Sequence, residues 1–76
     1  MPTVFEIAHA TRQLPQPALR RHWRELAGAS QDQIAAQLGV TRTSVSRWEK
    51  GTRSPRGENL VAYSILLGQL REIANG

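Results

Sequence analysis

Arg42, Thr43, Ser46, Arg47 and Lys50 share one arc if the residues around them form a helix. At about 100° per residue, and with Arg42 at zero, Ser46 falls near about 40°, Lys50 about 80°, Thr43 about 100° and Arg47 about 140°. No apolar side chain interrupts that arc. Trp48 and Val45 fall on the far side, near about 240° and 300°. One edge can therefore anchor the helix while the other offers guanidiniums, an ammonium and hydroxyls, with Ser44 at its margin. A guanidinium pairs twice with O6 and N7 of guanine, and a threonine presents a methyl to thymine or a hydroxyl to several bases. Arg47 reads as a guanine partner and Arg42 as a partner of guanine or phosphate. Ser46 suits contacts carried by water. The plain alternative is a solvated basic face.

The charge distribution sharpens the choice. The 76-residue chain carries ten Lys and Arg against six Asp and Glu, a net +4. Arg42, Arg47, Lys50, Arg53 and Arg56, opposed only by Glu49, hold that whole excess within residues 42–56, and the rest of the chain balances. A polyanion is the natural partner of such a patch.

A helix needs other elements to present it. Thr3-Val4-Phe5-Glu6 has the form of a capping box, which predicts a helix over 4–13 with Val4, Ile7 and Ala8 inward. Pro15-Gln16-Pro17 then makes a corner. A second helix follows to about Ala27, with Leu19, Trp23 and Leu26 as its stripe and Gly28 as its stop. Ser30 and Gln33 form another box, opening a helix with Ile34, Ala35 and Leu38 inward. Gly39-Val40-Thr41 is a three-residue connection to the helix at 42–50, a length that brings two helices together steeply. Thr41 caps that helix and Gly51 ends it. Thr52 to Gly57 is polar and basic, and Ser54-Pro55 predicts the start of a last helix. Its core stripe is Leu60, Tyr63, Leu67 and Leu70, and Gly68 is a potential interruption. Trp23 is expected deep in the core and Trp48 on the core side, against a stacking role on bases.

Taken together, Ala27-Gly28-Ala29-Ser30-Gln31, Ile34-Ala35-Ala36-Gln37-Leu38-Gly39-Val40 and Val45-Ser46-Arg47-Trp48-Glu49-Lys50-Gly51 resemble the phage lambda-repressor and Cro-type helix-turn-helix family, also called XRE-like. The resemblance runs from Leu19 to Leu67 and leaves residues 1–16 outside. It implies an all-α lambda-repressor-like domain at 17–76 with the helix-turn-helix at about 31–50, and the extra helix and proline corner read at 1–16 bring the expected total to five helices. It implies base reading by Arg42, Thr43, Ser46 and Arg47. It gives Gln31 a phosphate contact and a bracing role, and pairs Arg24 with a buried Glu49 as a structural ion pair. Thr41, Ser44, Lys50, Arg53 and Arg56 join Gln31 as candidate phosphate ligands. Ala29 departs from the larger apolar residue usual in the family. Arg42 stands where many relatives carry glutamine, so their adenine preference does not carry over.

Other chemistries find little support. There is no cysteine, His9 and His22 lack ligand partners at metal spacing, and no nucleophile-base pair or phosphate loop is present. The expectation is a protein without enzyme activity, cofactor or metal, and without membrane span or signal peptide, in the cytoplasm of a bacterium or a phage-infected cell. Its expected partner is double-stranded DNA, as a repressor or Cro-like regulator. Two alternatives stand beside that one: an antitoxin-like or other protein-interaction module, and a sequence-indifferent nucleic-acid accessory factor. A homodimer through Leu66, Leu67, Leu70 and Ile73 of the last helix is one expectation, and a monomer on an asymmetric site the other.

Overall fold

The computed structural model describes residues 1–76. Five helices follow one another: α1 (Val4–Gln13), α2 (Pro17–Leu26), α3 (Gln31–Leu38), α4 (Arg42–Lys50) and α5 (Gly57–Asn75). Both capping boxes form. Thr3 Oγ1 accepts from the Glu6 amide at 3.2 Å and Ser30 Oγ from the Gln33 amide at 3.0 Å, while each acidic or amide side chain accepts the cap's own N–H in return. These caps satisfy donors that a helix start leaves without partners. Gly39 takes φ 69°, a left-handed conformation that lets α3 stop and α4 begin within three residues.

Helix α5 is the centre of the packing. α1, α2 and α3 all lie against it, and α4 packs on α2 and α3. Leu60, Tyr63, Leu67 and Leu70 are all buried, as their spacing predicts, and Gly68 does not interrupt the helix. Ile34, Ala35, Val45 and Trp48 complete the core with Tyr63, Leu67 and Leu70. Trp48 and Tyr63 meet at 4.9 Å between ring centroids with planes tilted by 44°, a geometry aromatic quadrupoles favour. No helix is long and apolar enough to cross a membrane.

Four details differ from the sequence expectations. Leu19 and Leu26 of α2 are 43% and 58% exposed. The inward face is instead Arg20, Trp23, Arg24 and Ala27, a helical spacing of three, four and seven that a hydropathy pattern does not show. Trp48 is buried as expected, whereas Trp23, expected deeper, is half-buried with the Arg71 guanidinium 5.5 Å above its ring. In α1 the inward residues are Ile7, Ala10 and the following Leu14, while Val4 and Ala8 face solvent. Finally, Pro55 is buried in the loop and does not open α5, which starts two residues later through Gly57 at φ 56°. Burying the pyrrolidine wins over its preference for a first helical turn. Of the apolar residues expected to join two copies, Leu67 and Leu70 are spent in the protein's own core, Leu66 is half-buried and Ile73 is exposed.

The Tyr63 hydroxyl is buried without a hydrogen-bond partner. Burial, and next the charge of Glu49, push its phenol above the ordinary value. A buried donor left unpaired costs about 1–3 kcal/mol. Tyr63→Phe is therefore expected to stabilise the domain, raising Tm by about 4–8 °C for each kcal/mol regained. A fall in Tm would show that the hydroxyl is bonded in solution.

Candidate nucleic-acid interface

Helix α4 is held from its inner side and both ends. Val45, Trp48 and Glu49 are buried. At its start, Thr41 Oγ1 accepts from the Ser44 amide at 3.1 Å and lies 3.1 Å from the Ser44 hydroxyl. The opposite edge is open: Arg42, Thr43, Arg47 and Lys50 are exposed and Ser46 is half-buried.

A polar network fixes the angle between α2, α3 and α4. Arg24 donates to Glu49 through Nε at 2.5 Å and Nη2 at 2.9 Å, and through Nη1 to the Ala29 carbonyl at 3.0 Å. The two side chains are 12% and 3% exposed. The bond to Glu49 holds the Arg24 guanidinium above its ordinary value. Gln31 Nε2 also donates to Glu49, at 3.0 Å, which leaves Gln31 Oε1 to accept from Arg42 Nε at 3.4 Å. Asp32 adds a longer contact to Arg42, 3.8 Å between Oδ2 and Nη1. The amide of Gln31 thus joins the buried carboxylate to an open guanidinium.

The candidate residues separate into groups. Gln31, Arg42, Ser46 and Lys50 line a polar cleft on one flank of α4, together with Arg21, Arg24, Ser30 and Glu49. Ser44, Arg47 and Arg53 line a second cleft beside Trp48 and Ser54. Thr43 is exposed and borders neither cleft, and Arg56 stands apart as the exposed N-cap residue of α5. The hydroxyls of Thr41 and Ser44 are engaged in capping, so what they present outward is limited.

Two arginines of α2 escape a reading based on charge alone. Arg21 lies outside the basic segment yet borders the first cleft, where it also pairs with the exposed Glu25. Arg20 is only 8% exposed. Its Nε donates to the Pro15 carbonyl at 2.7 Å and its Nη1 to the Trp48 carbonyl at 2.9 Å. Burial pulls this guanidinium below its ordinary value. No carboxylate faces it within bonding distance; its acceptors are main-chain carbonyls. Its only sequence signal is its spacing from Trp23, Arg24 and Ala27.

A family model described as helix-turn-helix matches residues 21–73, which includes α3, α4 and most of α2 and α5. No curated protein and no solved structure matches the chain.

Proposed function

The chain belongs to the helix-turn-helix family, of the XRE or lambda-repressor-like type, and from that premise we propose that it is a transcription regulator that reads double-stranded DNA in the major groove with α4. Arg47 pairs with guanine, Arg42 with guanine or the backbone, and Thr43 and Ser46 with neighbouring base edges. Gln31, Lys50, Arg53 and Arg56 hold phosphates, helped by the main-chain amides where α3 and α4 begin beside Thr41 and Ser44. Bound at an operator, the domain represses by excluding polymerase.

One observation carries this reading. The side of α4 opposite its buried Val45 and Trp48 is open and bears two arginines, a lysine and hydroxyls. A major groove accepts one helix, and such an edge offers it donors for base edges and phosphates.

With Lys50, Arg53 and Arg56 on phosphates, and Arg42 as a fourth where it takes the backbone, log affinity is expected to fall against log salt with a slope of about −3 to −4. Arg47→Ala is expected to relax preference at one base pair by about 1–3 kcal/mol. Arg53→Ala is expected to weaken all duplexes alike and to reduce the salt slope by about one. Selection from random duplexes with footprinting defines the site, and titrations of that duplex and a random one across salt concentrations measure all three. Equal recovery of every sequence would reject base reading, and a palindromic site would reveal a two-fold dimer.

A second reading, a protein-interaction module, draws on Val4 and Phe5, which α1 leaves exposed. A stoichiometric protein partner, with no duplex preferred over another, would favour it.

A further inference from the structure

The recognition helix is tied to a part of the chain that lies outside the family match, and the tie is Arg20. Three main-chain amides, those of Gly51, Thr52 and Arg53, converge on the Arg47 carbonyl at the end of α4. The neighbouring Trp48 carbonyl receives Arg20 Nη1 at 2.9 Å. Carbonyls of a last helical turn have no partner within their helix, and a cation there opposes the negative end of the helix dipole. The same planar guanidinium donates from Nε, at 2.7 Å, to Pro15 in the corner between α1 and α2. A second contact runs alongside. Gly51, at φ 76°, passes so close to Pro17 that a Cβ there would sit 3.0 Å from Pro17 Cγ. The end of α4 is thus clasped against residues 15–17 by one bidentate arginine and one close approach.

We propose that Arg20 is a positioning residue for DNA reading: by joining the Pro15 carbonyl to the Trp48 carbonyl, it sets the tilt at which α4 presents Arg42, Thr43 and Arg47. Arg20 is too buried to reach DNA itself, so any effect it has on binding passes through α4. Contacts to base edges are directional and fail with a small tilt, whereas attraction of the basic surface to phosphates tolerates it. Losing the clasp should therefore erode discrimination and leave general affinity almost untouched. This inference rests on the reading of α4 as a base-reading helix.

The test compares Arg20→Met, Arg20→Lys and Gly51→Ala with the unaltered protein. The probes are the duplex recovered by random-sequence selection and a scrambled duplex of equal length. Arg20→Met keeps most of the apolar stem but loses both donors. It is expected to bind the selected duplex about tenfold more weakly, an effect the size of one mismatched base pair. Binding to the scrambled duplex should change less than about twofold and the salt slope should stay put, because no phosphate contact is lost. Arg20→Lys keeps the charge but can serve only one carbonyl well, so it should lie between the two. Gly51→Ala disturbs the clasp from the other side, and because a side chain at φ 76° is also strained its stability is measured beside the ratio, which should fall. If Arg20→Met fails to fold, Arg20→Lys and Gly51→Ala decide the matter by that ratio. A parallel loss on both duplexes, or no loss in a folded variant, overturns the proposal. A different result, no preference in the unaltered protein, would instead remove the base-reading premise.

Discussion

Replacing Arg24 with methionine is expected to cost about 3–5 kcal/mol of folding stability, the usual toll for breaking a buried ion pair by removing one partner. Methionine fills much of the space but leaves the Glu49 carboxylate, only 3% exposed, with Gln31 as its one remaining donor. It also releases the Ala29 carbonyl, and with it the turn between α2 and α3. A domain of this size has roughly 4–11 kcal/mol in hand, so the loss is a large share of the whole and the urea midpoint should fall steeply. Urea melts of the single variants and of Arg24→Met with Glu49→Leu check the cause. If the double variant recovers much of the loss, the penalty is the uncompensated charge. If it is worse than either single variant, the pair contributes net stability beyond that of an apolar pair.

Trp48→Ala is expected to be about as damaging, at about 3–5 kcal/mol, because a large buried ring leaves a cavity that its neighbours cannot close. Trp48 lies between α4 and Tyr63 of α5. Its removal should loosen the helix proposed to read DNA together with the core. Trp48→Phe retains an aromatic partner for Tyr63 and should cost less. The informative result is the order of loss. A stacking role on bases predicts a stable variant that no longer binds, whereas burial predicts that stability and binding fall together. A stable Trp48→Ala with impaired binding would move the ring from the core to the interface.

Much of the architecture was legible in the sequence because helix ends are written in short-range chemistry. The boxes at Thr3–Glu6 and Ser30–Gln33, with the glycines at 39 and 51, mark boundaries that the structure reproduces. The stripe at Leu60, Tyr63, Leu67 and Leu70 was legible for the same reason: a long helix with a wide apolar face obeys its period. Helix α2 was legible only in part: Trp23 and, through the resemblance, the pairing of Arg24 with Glu49 were expected, whereas Arg20 was not and Leu19 and Leu26 turn outward. Arg20 and Arg24 are charged, and their burial depends on acceptors about 25 residues away along the chain. No local pattern reports a main-chain carbonyl at that distance. The start of α5 was not legible because Ser54-Pro55 has the local form of a helix start, and only the folded chain shows the proline buried in the preceding loop.

At the candidate site, the sequence separates the open edge of α4 from its anchored side by angle alone. It does not indicate the relay from Glu49 through Gln31 to Arg42, nor the presence of Arg21 beside the same cleft. The relay arises from the packing of α3 on α4 and the place of Arg21 from that of α2 on α4, both properties of three-dimensional arrangement.

The partition of α4 has a bearing on how this protein could change over generations. Exposed positions that touch no cap or core usually alter stability by less than about 0.5 kcal/mol when exchanged. Thr43 and Arg47 are in that situation, since neither side chain takes part in a cap, an ion pair or the core. New pairs of side chains there can be sampled freely by mutation without unfolding the scaffold, so descendants could acquire different targets while inheriting one framework. The same freedom would let an engineer graft alternative residues at 43 and 47 and select among them.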